Sequence, residues 1–262
     1  MKKIIAGLTV ILMSTVGFGK SFELDDNTIV IRGEFNGIMA GSFIQDVSKI
    51  KGDEVVVFID SPGGSIASLL EMTAFMEASG KTFSCVAGFA ASAASAFLNV
   101  CDNRYVMNNT TLMFHQASYS LRGGSEANLL SFQKYISVQI DELEQVNADR
   151  MGLNIKDYQT LVVSDLWLYG KQGIEMKAAD EVVSVTCNQS LFKKTVKETL
   201  RSFFGSITLE WSGCPLITYP VVVNGERQMK ESKDRSVQSK LMQRNEYIQW
   251  LHSNNLPLLI VK

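Results

Sequence analysis

The chain has 262 residues, with 25 lysines and arginines against 27 aspartates and glutamates, a net charge of −2 and a 46% hydrophobic composition. That is enough for one well-buried core with an extension. The near-neutral balance lacks the electrostatic footprint of a nucleic-acid binder, so no nucleic-acid partner is expected.

At the N-terminus, Lys2 and Lys3 precede an apolar run from Ile4 to Phe18, and Gly17-Phe18-Gly19 has the small-x-small form that a signal peptidase accepts. The run is shorter than the ~20 residues a membrane-spanning helix needs. The pattern predicts a cleaved signal over residues 1–19 and a periplasmic or secreted mature protein.

Asn27 to Ile31 reads as a strand, Ile38 to Ile50 as a helix, and Asp53 to Ile59 as a strand whose unbroken apolar run suits a buried parallel sheet. Ser61-Pro62-Gly63-Gly64 predicts a sharp break, after which Ser65 to Ala78 reads as a helix with Leu69, Leu70, Met72, Phe75 and Met76 inward. Thr82 to Val86 reads as the next strand. It leads through Gly88 into Phe89-Ala90-Ala91-Ser92-Ala93-Ala94-Ser95-Ala96-Phe97-Leu98, which sets Ser92 near the N-terminus of a buried helix. Free N–H groups and the helix dipole there favour developing negative charge. Taken alone, such an alanine and serine run reads as a surface for close helix packing.

Arg104 to Met107 and Thr111 to Phe114 read as short strands, and the alternation so far predicts an α/β sheet with right-handed crossovers. Ser125 to Met151 is helical, with Leu129, Phe132, Ile136, Ile140, Leu143 and Val146 at spacings of three and four. At 1.5 Å per residue it extends about 40 Å, which suits either a projecting helix or one that covers the core. A short helix from Ile155 to Val162, a strand from Leu166 to Tyr169, a helix near Lys171 to Lys177 and a strand from Glu181 to Val185 follow.

After Cys187 the character changes. An amphipathic segment (Leu191 to Phe204), a β-like stretch (Trp211 to Val223) and a charged segment (Glu226 to Glu246) make up an extension over residues 188–262 whose role is not legible. Four cysteines, Cys85, Cys101, Cys187 and Cys214, allow three pairings. Cys187 with Cys214 is the expected pair, which would tie the start of the extension to its own later part. Cys85 and Cys101 are then left as a second pair, and four reduced, buried thiols are the alternative.

The chain has two histidines, so the search for a general base is short: His115 ends a strand-like run, and His252 lies in the extension. With these residues in view, residues 24 to 187 resemble the proteolytic subunit of the Clp protease, within the wider ClpP/crotonase superfamily. Four motifs carry the resemblance: Ile59-Asp60-Ser61-Pro62-Gly63-Gly64, Gly88-Phe89-Ala90-Ala91-Ser92, Phe114-His115-Gln116, and Asp165-Leu166-Trp167-Leu168 with Ala179-Asp180-Glu181-Val182-Val183. The resemblance implies an α/β fold of repeated β-β-α and βαβ units with a long, handle-like helix, and a protease domain over residues 20–187. It also implies Ser92 as nucleophile, His115 as general base, Asp165 as the residue orienting His115, and the N–H groups of Gly64 and Ala93 as oxyanion hole. No cofactor or metal is implied. The substrate is a peptide or protein, and the implied assembly is a homo-oligomeric ring stacked through the long helix.

The chain departs from that pattern at Ala117, where the family usually has proline, and at Ala93-Ala94, where it has Met-Gly. Export would also remove the protein from ATP, so no ATPase partner is expected and cleavage of peptides or unfolded segments is. Two further readings keep the fold. Lys134, 42 residues after Ser92, is the candidate base of a serine-lysine dyad of the signal-peptide-peptidase type. A non-catalytic binding or assembly module is the other.

Overall fold

The computed structural model describes residues 20–120, 123–202, 205–223 and 226–227. The predicted signal, His252 and most of the charged segment lie outside these.

The sheet that carries the molecule has the strand order β2-β3-β4-β5-β6, with β7 also paired to β5. Its members are β2 (Ile29–Phe35), β3 (Glu54–Gly64), β4 (Thr82–Ala91), β5 (Asn103–Phe114), β6 (Leu166–Tyr169) and β7 (Glu181–Val182). The pairings from β2 to β5 are parallel, and β5 with β6 is antiparallel. The crossovers are α1 (Gly37–Lys49), α2 (Ile66–Ser79) and α3 (Ala93–Val100). Asn36 caps α1 by accepting from the N–H groups of Ile38 and Met39, and Ser65 caps α2 by accepting from Ser68 N–H.

Both sheet faces are covered, as the unbroken apolar run of β3 demands. Val55, Val57 and Ile59 face the helices and pack with Phe43, Leu69, Met72, Phe83 and Phe97. Phe58 points the other way and packs with Leu24, Val86, Tyr105 and Val183, and the extension contributes Leu191 and Cys214 to this second cluster. Burying each large apolar side chain stabilises the fold by about 1.5–3 kcal/mol. The strand expected from Glu181 to Val185 is divided: β7 ends at Val182, and β8 (Ser184–Cys187) leaves the main sheet to pair in parallel with β1 (Ser21–Leu24).

The long helix is α4 (Glu126–Met151), capped by Ser125 and ended by Gly152 at φ 68°. Its buried residues, Asn147, Ala148 and Met151, all lie near the C-terminal end, while Leu130, Phe132, Tyr135 and Val138 are exposed. The helix therefore projects. Beyond it come α5 (Ile155–Leu161), α6 (Gln172–Glu175) and α7 (Gln189–Lys193). The segment read as amphipathic from Leu191 becomes the end of α7 and then β9 (Thr195–Ser202), which pairs antiparallel with β10 (Gly205–Ser212). β11 (Val222–Val223) and β12 (Glu226–Arg227) extend this small sheet. Among the described residues no helix is long and apolar enough to cross a membrane.

Two disulfides are present, Cys85–Cys101 and Cys187–Cys214. The second joins the end of β8 to the extension. The first staples β4 to the end of α3, so it closes a loop with a sequence separation of 16 residues around the turn between them. Reducing a link over such a loop is expected to cost about 3 kcal/mol. Guanidinium unfolding of Cys85→Ala/Cys101→Ala beside the oxidised protein checks this, and an unchanged midpoint would contradict it.

Candidate active site

The turn from β4 into α3 builds the site. Ser92 stands at the N-cap of α3 with φ 57° and ψ −125°, a conformation that non-glycine residues seldom adopt and that costs on the order of 1–3 kcal/mol. Its backbone is held on both sides: the N–H donates to Met113 O (2.8 Å), and the carbonyl accepts from Ser95 N–H (3.0 Å) and Ala96 N–H (3.2 Å). Because the side chain does not cap the helix, its hydroxyl is free to point outward.

The bond to Met113 also ties this turn to the end of β5, two residues before His115. His115 Nε2 lies 2.7 Å from Ser92 Oγ, and both residues are half-buried. Ser95, the other serine of the run, is fully buried. Its Oγ donates to Ala90 O (2.7 Å) and accepts from Met113 N–H (3.3 Å). Ser95→Ala would remove two hydrogen bonds that supplement the sheet ladder and is expected to cost about 1–3 kcal/mol in urea unfolding. Wild-type stability in that variant would show these bonds contribute nothing.

Ser61-Pro62-Gly63-Gly64 reads as a sharp break in the sequence, but β3 runs on through Gly64, and Phe35 O accepts from Ser65 N–H at 2.9 Å. The closest approach belongs to Gly63, at φ 89°: a Cβ there would meet Ala91 O at 2.4 Å, Ala93 N at 2.7 Å and Ser92 Cβ at 2.8 Å. Gly63 is thus the residue against which the Ser92 turn is pressed. The Ser61 hydroxyl fixes this corner, donating to Gly33 O (2.6 Å) and accepting from Gly63 N–H (3.1 Å).

Asp165 is exposed and directly precedes β6. The antiparallel register pairs Phe114 with Leu166, so one further step sets His115 opposite Asp165. No hydrogen bond joins the two. Lys134 is exposed on α4 and is absent from the walls of the cavity into which Ser92 opens.

That cavity, of about 410 Å³, lies between the sheet end and the inner face of α4. Its lining includes Gly64, Ser92, Ala93 and His115, together with Ile136, Ile140, Leu143, Glu144 and Asn147 of α4 and Tyr158 of α5. Burial pushes the Tyr158 phenol well above its ordinary range, opposed by an interaction with the Asn147 side chain and reinforced by the nearby Glu144 charge. Gly63, Glu144 and Asn147 were not singled out from sequence. The signal for the last two is a pair of polar residues, three apart, continuing the apolar stripe of Ile136, Ile140 and Leu143. Among the described residues no group of histidines, cysteines and acids could hold a metal ion.

The model of the family described as Clp protease matches residues 21–186. Proteolytic subunit 2 of the ATP-dependent Clp protease of Pseudomonas aeruginosa is 22% identical over 170 residues, 62% of this chain and 83% of that protein. The proteolytic subunit of Streptococcus mutans is 23% identical over 171 residues, 61% of this chain and 86% of that protein. That of Ligilactobacillus salivarius is 24% identical over 169 residues, 61% of this chain and 84% of that protein.

Proposed function

The chain belongs to the Clp protease family, and from that premise we propose that it is an exported serine endopeptidase that cuts peptides or unfolded protein segments without ATP. Ser92 is the nucleophile, His115 the general base, Asp165 the residue that orients His115, and the N–H groups of Gly64 and Ala93 the oxyanion hole. The observation that carries this reading is the 2.7 Å approach of His115 Nε2 to Ser92 Oγ at the wall of an open cavity.

The chemistry follows from that pair. With its own proton on Nδ1, His115 accepts the hydroxyl proton at Nε2 as Ser92 Oγ attacks the scissile carbonyl, and later delivers it to the leaving amine. A carboxylate at Nδ1 holds that tautomer and stabilises the imidazolium. Asp165 faces His115 by register, and such contacts commonly tighten only when substrate is bound. The oxyanion would form where two N–H groups converge. Ala93 heads α3, so its N–H has no intrahelical acceptor. Gly64 lines the same cavity as Ser92 and Ala93.

Export is supported by the residue 1–19 pattern and by two disulfides, which persist in oxidising compartments. ATP-independence follows from export. A homo-oligomeric ring is supported by the exposed apolar residues along α4, since a projecting helix with Leu130, Phe132, Tyr135 and Val138 uncovered suits burial against a second copy. The serine-lysine alternative is disfavoured by the exposure of Lys134 and its absence from the cavity.

The test is hydrolysis of reduced, carboxymethylated casein by the oxidised, processed protein, with no nucleotide and no unfoldase present. Steady cleavage that Ser92→Ala abolishes is the expected result. Cleavage that appears only when an ATP-driven unfoldase is added would overturn the ATP-independent reading.

A further inference from the structure

We propose that the cavity beside Ser92 accepts a lysine or arginine side chain from the residue whose carbonyl is attacked, and that Glu144 binds its charge. This inference rests on the serine peptidase reading above, because it takes the cavity as the pocket for that residue.

Among the described residues lining the cavity, Glu144 is the only carboxylate, and no lysine or arginine joins it there. It is half-buried. Its Oε2 accepts from Gln159 Nε2 at 2.9 Å, a bond that fixes the carboxylate from α5, while Oε1 has no hydrogen-bond partner among the described residues. No described cation lies within ion-pair distance of it. A partly desolvated carboxylate with one oxygen uncommitted and no countercharge attracts a cation far more strongly than a carboxylate in water does. The same logic puts an acid in the pocket of serine peptidases that cut after lysine and arginine.

The rest of the pocket fits a long side chain with a charged end. Ala93 and Ala96 form the α3 wall, and their small side chains leave the space open. Ile136, Ile140 and Leu143 offer apolar surface for the methylene stem. The α4 wall is tied to α3 beside the cavity. Asn147 pairs with Asn99 through a 2.9 Å hydrogen bond, and Asn99 lies seven residues from Ser92, roughly 10 Å along α3. Glu144 is one turn from Asn147 on the same face of α4. Glu144 and Asn147 thus line the same cavity as Ser92. Asn147 and the Tyr158 phenol, which burial keeps protonated, add polar lining with no opposing positive charge. Arg104, which donates to Asn99 behind Asn147, is itself ion-paired to Asp180.

The test compares two peptidyl diphenyl phosphonates that differ only in bearing lysine or leucine next to the phosphorus, with a small fluorophosphonate alongside to count reactive serine. Adduct formation on Ser92 is followed by intact mass in the wild type, Glu144→Gln and Glu142→Gln, the last an exposed acid on α4 outside the cavity. The lysine phosphonate is expected to react at least about tenfold faster than the leucine one in the wild type and in Glu142→Gln, and the preference to vanish in Glu144→Gln. Fluorophosphonate labelling of Ser92 with equal or faster reaction of the leucine probe in the wild type would overturn the inference and leave the serine reading standing. So would a lysine preference that survives Glu144→Gln. No fluorophosphonate adduct at all would mark failure of the serine reading itself.

Discussion

Ser92→Ala is expected to lower kcat/KM for peptide hydrolysis by a factor on the order of a million, and His115→Ala by a similar factor. The reason is that the two act as one unit. Without the imidazole 2.7 Å away the hydroxyl keeps its proton, and without the hydroxyl the imidazole has nothing to activate. The double variant should therefore be little worse than either single one. Asp165→Asn is expected to cost less than either, because Asp165 acts through His115 and stands opposite it only by register. Single and double variants measured on one fluorogenic peptide check this. Losses that multiply in the double variant would mean Ser92 and His115 work independently.

The largest effect on stability is expected at Gly63. Gly63→Ala would force a Cβ to within 2.4–2.8 Å of Ala91 O, Ala93 N and Ser92 Cβ, and would hold an L side chain at φ 89°. Two of those three atoms are backbone, so no side-chain rotation relieves the clash. The cost is expected to be about 3–5 kcal/mol, with activity lost as the Ser92 turn is pushed away from His115. Gly41→Ala is the matched control: it lies inside α1 with nothing within 4 Å of the added Cβ, and it is expected to stabilise by about 0.5–1 kcal/mol. Urea unfolding of both variants checks the pair. A Gly63→Ala protein as stable as Gly41→Ala would show that the Ser92 turn is not pressed against β3.

Much of this architecture is legible in the order of residues, and what is not has identifiable causes. The helices α1, α2 and α4 and the strand β6 are readable because apolar spacing, capping residues and breakers agree there. The unbroken run from Val55 to Ile59 announces a strand buried on both faces, and Val57 and Phe58 do face opposite clusters. The Ser61-Pro62-Gly63-Gly64 stretch misleads, since proline and glycine usually mean a turn. Here β3 continues through both glycines, at φ 89° and 143°, which lets Gly63 lie against the Ser92 turn without a Cβ. The two short strands read on either side of Asn108 form one strand, β5, because Thr110 Oγ1 accepts from Met107 N–H (2.7 Å) and donates to Ala87 O (2.5 Å), bridging the irregular stretch.

At the candidate site, Ser92 and His115 are found together, and composition alone narrowed the base to two histidines. The Gly88-Phe89-Ala90-Ala91-Ser92 motif singles out Ser92 over Ser95. Physically the two differ in that Ser95 Oγ is consumed by two buried backbone bonds, which no local pattern reveals. Glu144 escaped notice because an acid on a long amphipathic helix reads as solvent-facing unless the cavity beneath it is known.

The central claim is that Ser92 is a nucleophile activated by His115. The most direct measurement is fluorophosphonate labelling of the oxidised, processed protein, read by intact mass and mapped by peptide sequencing, beside Ser92→Ala, Ser95→Ala, His115→Ala and Lys134→Ala. A single adduct on Ser92, lost in Ser92→Ala and His115→Ala and retained in Ser95→Ala and Lys134→Ala, is the predicted result. An adduct that survives His115→Ala but disappears in Lys134→Ala, or one that maps to Ser95, would contradict it.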